Sequence, residues 1–206
     1  MRKLTSIKAV AFLLLALGFT ALASRPVAAQ GGSFAYASGS LVDVGVGYTY
    51  VRTNLGVGDC GCFGLNGGDG WVAFNLRHSF GIVGEVATQQ ASDISGTGVD
   101  LTLTSFLAGP RYRWTGGGRF TPFVQGLVGG AHASGSLAPG NSGIPGSANA
   151  FAMIAGGGLD IGLARHFALR AFEADYYLTR FNNGVNDQQN NLRIGAGIII
   201  RFGGGD

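Results

Sequence analysis

The chain has 206 residues and is rich in glycine, with 38 glycines, 14 lysines or arginines and 11 aspartates or glutamates, which give a formal charge of +3. Its plentiful aromatic and branched side chains argue against a disordered chain, and its glycines lack the three-residue period of collagen. Beyond residue 29, no stretch of 18 apolar residues is free of dense glycine, so the composition also argues against a helical membrane span.

The first 29 residues have the features of a secretory signal peptide. Basic residues precede an uncharged run at 9–24, and small residues at 27–29 form a cleavage site, with a second such site at 21–23. Cleavage after Ala29 would leave 177 residues with ten arginines, eleven acids and no lysine. We therefore expect no nucleic-acid partner, because phosphate recognition needs clustered basic side chains.

After the leader, eight segments alternate apolar side chains with polar or small ones, which is the period-two pattern of β-strands. The last segment is the clearest, because Leu192, Ile194 and Ile198 share one face while Asn191 and Arg193 share the other. The predicted strands are 41–52, 71–78, 80–89, 101–114, 121–133, 150–162, 167–180 and 191–202.

The connections between these segments alternate between long and short. Long polar loops at 53–70, 90–100, 134–149 and 181–190 alternate with short turns at 79, 115–120 and 163–166. In an up-and-down antiparallel sheet this places all the long loops at one end, as in bacterial outer-membrane barrels, and eight strands can close. The sequence predicts an all-β fold, an eight-stranded antiparallel up-and-down transmembrane β-barrel over 41–202, with 30–40 as an N-terminal periplasmic segment and 203–206 as a short C-terminal tail.

The polar faces of the predicted strands carry five positive and five negative residues. A surface in water needs no such balance, whereas a closed interior penalises every charge that lacks a partner. We therefore expect the apolar faces to meet lipid; with the opposite orientation the chain would be a soluble periplasmic lipid-binding barrel. The predicted interior charge network comprises Asp43, Arg77, Glu85, Arg111, Arg113, Asp160, Glu173, Asp175, Arg193 and Arg201.

Aromatic residues collect near the predicted strand ends, as in the interfacial girdles of membrane barrels. The predicted girdles are Tyr48, Tyr50, Trp71, Phe151, Tyr176 and Tyr177 on the long-loop side, and Phe80, Trp114, Phe120, Phe167 and Phe202 on the short-turn side.

The only two cysteines, Cys60 and Cys62, flank Gly61 in the first long loop. We favour a structural disulfide between them, because exported proteins fold in an oxidising compartment. A redox role, a metal site and an intermolecular bond are the alternatives. No other cysteine or histidine lies close enough in sequence to complete a tetrahedral metal site, so we predict no metal and no cofactor.

His132 and Ser134 offer the strongest catalytic alternative, a lipid-modifying hydrolase of the outer membrane. Two residues that are two apart on a strand point in parallel, however, and no acid is placed to orient the histidine. We therefore expect no enzyme activity there. His78 and His166 border short turns and are predicted to be interfacial or solvated.

Glu173 and Asp175 share one face of the seventh predicted strand. Paired carboxylates at such spacing can serve a glycosidase. The same face meets arginines of the next strand, including Arg193 and Arg201, so we favour a structural ion-pair network.

Five segments carry a family resemblance: Gly109-Pro110-Arg111-Tyr112-Arg113-Trp114, Arg119-Phe120-Thr121-Pro122-Phe123, Gly129-Gly130-Ala131-His132, Glu173-Ala174-Asp175-Tyr176-Tyr177 and Asn190-Asn191-Leu192-Arg193-Ile194-Gly195-Ala196-Gly197. They resemble the small OmpA-like outer-membrane β-barrel domain proteins. The resemblance implies an integral protein of the bacterial outer membrane, with outer-membrane lipids around it and the barrel-assembly machinery as its partner during biogenesis. Such chains usually end on an aromatic residue, whereas here Gly203 to Asp206 follow Phe202.

Together these features predict a structural or surface-interaction role rather than catalysis. Binding residues concentrate on loops that a rigid scaffold holds, so we expect any ligand or partner at the four long loops.

Overall fold

The computed structural model describes residues 40–53, 63–76, 79–92, 100–116, 118–135, 146–181 and 188–203. Eight strands form, each pairs antiparallel with the next, and β8 pairs with β1, so the sheet is a closed barrel. The predicted eight-stranded up-and-down fold is confirmed. The strands are β1 (Val42–Arg52), β2 (Gly64–Asn75), β3 (Phe80–Ala91), β4 (Leu101–Arg113), β5 (Phe120–Gly135), β6 (Gly146–Gly162), β7 (Phe167–Arg180) and β8 (Gln189–Phe202).

Within the described ranges, no helix is long and apolar enough to cross a membrane.

Closure leaves the sheet without an edge strand. The β1–β8 pairing runs from Val42 opposite Phe202 to Arg52 opposite Leu192. Because every strand has a hydrogen-bonded neighbour on both sides, the backbone polar groups of the wall need no water. The strands are also long enough to cross a hydrocarbon layer, which takes about 9–11 tilted residues.

The connections separate by length as predicted. The short ones, 76–79, 114–119 and 163–166, form what we call the short-turn end, and the long ones, 53–63, 92–100, 136–145 and 181–188, form the long-loop end. The turns are closed by backbone hydrogen bonds, including Leu76 N to Phe80 O (2.9 Å) and Leu163 N to Phe167 O (3.0 Å).

Two strands begin earlier than predicted. β2 begins at Gly64 instead of 71, and β6 begins at Gly146 instead of 150, so the predicted loops at these places were too long. The glycine-rich stretch before Trp71 belongs to the sheet because its neighbour is very close: a Cβ on Gly67 would collide with the Thr88 carbonyl of β3. Glycine here permits a tight approach of two strands, whereas the sequence pattern alone suggested a loop.

The barrel wall is apolar on its outer face. Val46, Phe106, Val128 and Ile198 are all more than half exposed, at 55–59% of their surface. Side chains that alternate with them, such as those of Ser105, Leu107, Leu127 and Ile199, point inward and are buried. Exposed aliphatic and aromatic side chains over the whole outer wall are the arrangement of a barrel that lipid surrounds.

The interior is filled in layers along the barrel axis. Near the short-turn end it holds polar and charged side chains such as Ser40, Asn75 and Asp43, and further charged groups occupy the middle. Near the long-loop end the apolar side chains of Val51, Leu65, Leu103, Ala131 and Ala152 form a layer, in which the polar side chain of Gln89 is also buried.

Candidate functional site

The interior of the barrel is where most of the predicted site residues lie. Nine of the ten predicted charges are among the described residues, and all nine are at least nine-tenths buried; Arg77 lies outside the described residues. The nine are Asp43, Glu85, Arg111, Arg113, Asp160, Glu173, Asp175, Arg193 and Arg201.

Arg193 of β8 joins carboxylates from opposite sides of the lumen. Its Nη2 lies 2.7 Å from Oδ2 of Asp175 and 2.9 Å from Oε1 of Glu173, both in β7. The same guanidinium reaches across the barrel to Glu85 of β3, to which Nη2 donates at 3.2 Å and Nη1 also donates. One side chain therefore bridges strands that are not neighbours in the sheet, which blocks the lumen at this level.

Arg170 of β7 is a second centre of the network, and the sequence reasoning missed it. Its Nε lies 2.9 Å from Oδ1 of Asp160, and its Nη1 lies 2.5 Å from Oε2 of Glu173. Glu173 thus accepts from both Arg170 and Arg193, which links the two arginines through one carboxylate.

Two aromatic rings lie among these charges. The guanidinium carbon of Arg111 lies 4.4 Å from the ring centre of Trp71 and 4.9 Å from that of Phe123. Arg170 contacts the same two rings, at 4.3 and 4.2 Å. These are cation–π distances, and they are favourable in a desolvated site. Arg111 also donates to Oε1 of Gln125 at 2.7 and 3.0 Å.

The position of Trp71 corrects part of the predicted aromatic girdle. Trp71 is 4% exposed and Tyr177 is 1% exposed, so both rings lie inside the barrel and not at a membrane interface. Both have inward-facing positions in their strands, and proximity to a strand end could not reveal this. Tyr50 is half-buried. The other rings proposed for the two girdles are exposed and face outward: Tyr48, Phe151, Tyr176, Phe80, Trp114, Phe120, Phe167 and Phe202.

A separate polar cluster lies inside the short-turn end. Asp43 accepts from Arg113 Nη1 at 2.8 Å and from Ser40 Oγ at 2.6 Å. Asn75 Nδ2 donates to the same carboxylate at 3.2 Å and to the Ser40 carbonyl at 3.0 Å. Arg201 lies directly opposite Asp43 in the β1–β8 register. These contacts attach the segment before β1 to the barrel wall.

Asp69 is a second interior charge that sequence reasoning missed. It lies in the part of β2 that was predicted to be loop, and it faces inward beside Trp71 and Arg170. The available signal was the alternation of Leu65, Gly67, Asp69 and Trp71, which continues the inward face of the strand.

A small cavity lies beside Asp69. Its volume is about 10 Å³, and its lining includes Gly47, Thr49 and Gly197. Such a volume holds about one water molecule, whereas small-molecule sites usually measure several hundred Å³. This cavity therefore cannot take an organic ligand.

The histidine and serine of the hydrolase alternative lie on the outer side of the wall. His132 is exposed, and its Nδ1 lies 2.8 Å from Oδ1 of Asn149 on the neighbouring strand. Ser134 is half-buried two residues further along β5. In the described part of the chain, this imidazole therefore contacts an amide and not a carboxylate.

The remaining predicted positions have different outcomes. His166 is exposed at the short-turn end, where its Nδ1 lies 3.1 Å from the Arg201 carbonyl. His78, Cys60 and Cys62 lie outside the described residues. No group of three or more histidine, cysteine or acidic side chains arranged for a metal ion occurs in the described ranges.

No protein-family model matches the chain. No curated protein sequence matches it either.

The structure resembles solved bacterial barrels. Ail, the attachment invasion locus protein of Yersinia pestis, gives a TM-score of 0.53 at 20% identity, with 78% of this chain and 97% of that chain covered. Ail in complex with the heparin analogue sucrose octasulfate gives 0.52 at 17% identity over the same shares. Neisserial surface protein A gives 0.57 at 14% identity, over 79% of this chain and 98% of that one. At such identities the likeness concerns the fold, and this chain has the fold of the small eight-stranded outer-membrane β-barrels.

Proposed function

We propose that the chain is an integral protein of the bacterial outer membrane, exported through a signal peptide at 1–29 and inserted by the barrel-assembly machinery. The observation that carries this proposal is the inverted distribution of side chains, with apolar residues outside and ion pairs inside. In water, the exposed wall would be a very large apolar patch, and such patches rarely persist on soluble monomers.

The barrel acts as a rigid scaffold and not as a large pore. Arg193 crosses the lumen and contacts Glu85. Arg170 and Trp71 fill the space on the short-turn side of this contact. The apolar layer that includes Leu103 lies on its long-loop side. A hydrated ion would have to break several of these contacts to pass. We therefore assign the function to the long connections, which the strands hold at the long-loop end of the barrel.

The charge of these connections indicates the kind of partner. Their charged residues are all aspartates, Asp59, Asp93, Asp100 and Asp187, and they contain no lysine, arginine or histidine. The Ail complex holds a polyanion, a heparin analogue. Because like charges repel, this chain instead suits a partner whose contact surface is cationic or uncharged.

Membrane placement is tested by fractionation of native cell envelopes and by gel migration before and after boiling. We expect the chain in the outer-membrane fraction, with a folded form that migrates faster than the boiled form. Recovery in the soluble fraction without a migration shift would disprove membrane placement. Planar-bilayer recordings test the closed interior, and a stable, large conductance would contradict it.

Partner charge is tested with the folded protein in vesicles. We expect a cationic probe such as polylysine to bind, and heparin not to bind, at low salt. Asp93→Asn, Asp100→Asn and Asp187→Asn together should weaken polylysine binding. Binding of heparin by the wild type, or polylysine binding that is unaffected by the three substitutions, would contradict this part of the proposal.

A further inference from the structure

The connections at the two ends of the barrel carry opposite charges. The three short turns contain three charged residues that are all arginines, Arg77, Arg119 and Arg165, whereas the charged residues of the four long connections are all aspartates. The tail beyond Phe202 contains one acid, Asp206, which lies outside the described residues. Arg119 and Arg165 are exposed, and Arg77 lies outside the described residues.

Backbone hydrogen bonds hold these two arginines against the barrel wall. The Arg119 carbonyl accepts from the backbone N–H of Gly162 at 2.7 Å, which joins its turn to the end of β6. The turn that contains Arg165 is closed by Leu163 and Phe167, and its His166 carbonyl accepts from Arg201 N at 2.8 Å. Neither arginine can therefore move far from the strand ends, apart from the reach of its own side chain.

Exposed aromatic rings lie next to both arginines. Phe120 follows Arg119 and is 56% exposed, and Phe167, two residues after Arg165, is also 56% exposed. Trp114 belongs to the same outer ring of residues. Aromatic rings at the end of an apolar wall mark the level of the lipid headgroups, so the two guanidinium groups lie at the level of the phosphates.

We propose that this short-turn rim, formed by Arg119 and Arg165 with their aromatic neighbours, binds the phosphate groups of anionic phospholipids. Guanidinium groups bind phosphate through paired hydrogen bonds and retain their charge. We expect the rim to select anionic over zwitterionic lipid because the charged residues of the three turns are all arginines, and cationic side chains near the surface attract lipids of net negative charge. A periplasmic macromolecule fits less well, because short turns held at the wall do not project beyond the headgroups.

The test uses the full mature chain, folded in vesicles of equal phosphatidylglycerol and phosphatidylethanolamine and then extracted in mild detergent. Native mass spectrometry measures the ratio of the two lipids that stay bound. The test variant is Arg119→Gln with Arg165→Gln. The matched control is Arg52→Gln with Arg180→Gln, which removes two exposed arginines at the long-loop end of the wall.

We expect the wild type and the control to retain phosphatidylglycerol preferentially. The test variant should lower the bound ratio by roughly five- to twenty-fivefold, as expected from about fivefold for each arginine near a charged surface. High salt should lower the wild-type ratio in the same direction. Equal ratios in the wild type and the test variant, or equal losses in both double variants, would overturn the proposal. If the test variant does not fold, each single substitution gives the same readout.

A second measurement distinguishes lipid from cell wall. Arginine-dependent binding to purified peptidoglycan, together with an unchanged lipid ratio, would overturn the lipid assignment. The inference rests on the membrane placement proposed above. A chain that does not insert into vesicles would contradict that placement, whereas an inserted chain without lipid preference contradicts only the proposal made here.

Discussion

Arg170 and Glu173 form an ion pair at 2.5 Å although they lie three residues apart in one strand. In a regular strand such residues point to opposite faces. The register of β7 relative to β8 shifts between Arg170 and Glu173. Relative to β6, Arg170 pairs with Asp160 and Phe172 pairs with Leu159, although these are adjacent residues of β6. Ala171 is therefore the extra residue of a β-bulge, and the bulge turns Arg170 inward.

Deletion of Ala171 should be tolerated. Without it, Arg170 and Glu173 would be two residues apart and would face inward in a regular strand, with Phe172 between them facing lipid. We expect the deletion variant to fold in vesicles and to show heat-dependent gel migration. The matched control is deletion of Ala174, which lies beyond the bulge.

Deletion of Ala174 should prevent folding. It would place Glu173 and Asp175 on opposite faces of β7. One of the two carboxylates would then face lipid, or a neighbouring apolar side chain would face the charged interior. Equal folding of the two deletion variants would contradict our account of the bulge.

Arg193→Met should be strongly destabilising. It leaves Glu85, Glu173 and Asp175 buried without their shared cation, and the loss of one partner of a buried ion pair costs about 3–5 kcal/mol. The measurement is the free energy of unfolding by urea in phospholipid vesicles.

Arg111→Met is the matched control for that substitution. Arg111 donates to a neutral amide, Gln125, and shares the rings of Trp71 and Phe123 with another cation, Arg170. Its loss removes hydrogen bonds and also removes repulsion between two guanidinium groups, so we expect a cost of about 1–2 kcal/mol. A cost equal to that of Arg193→Met would contradict the central role that we assign to Arg193.

Two glycines should respond in opposite ways to alanine. A Cβ on Gly129 would collide with the Phe106 carbonyl of the neighbouring strand, whereas a Cβ on Gly84 would meet nothing within 4 Å. We expect Gly129→Ala to destabilise the barrel by about 1–3 kcal/mol, through the strand displacement it forces. Gly84→Ala should be neutral or stabilising by up to about 1 kcal/mol, because alanine loses less backbone entropy. The measurement is the free energy of unfolding by urea of both variants in vesicles. A larger loss of stability in Gly84→Ala than in Gly129→Ala would contradict this prediction.

The pairing of Cys60 with Cys62 remains a prediction. We expect the protein isolated from the cell envelope without reductant to resist alkylation at both cysteines. Mass spectrometry after alkylation, with and without prior reduction, distinguishes a disulfide within the chain from free thiols and from a bond between two chains. Free thiols in the unreduced protein would contradict the prediction.

The sequence alone determined the number of strands, their antiparallel order and the direction of their faces. These features follow from local patterns. The alternation of side chains, such as that from Leu192 to Phe202, indicates which residues share a face of the sheet. The alternation of long and short connections indicates at which end of the barrel each connection lies. The inward positions of charges such as Glu85, Arg111 and Arg193 could be named for the same reason, since each lies in a segment with regular alternation.

Only the tertiary structure decided which charges meet, because contacts across a lumen depend on the register of strands that are distant in sequence. The contact of Arg193 with Glu85, 108 residues away, is of this kind. Arg170 was missed because the bulge changes the parity of its strand, and Asp69 because the glycines around it resembled a loop. The burial of Trp71 and Tyr177 likewise depends on the face each occupies, which distance from a strand end does not indicate.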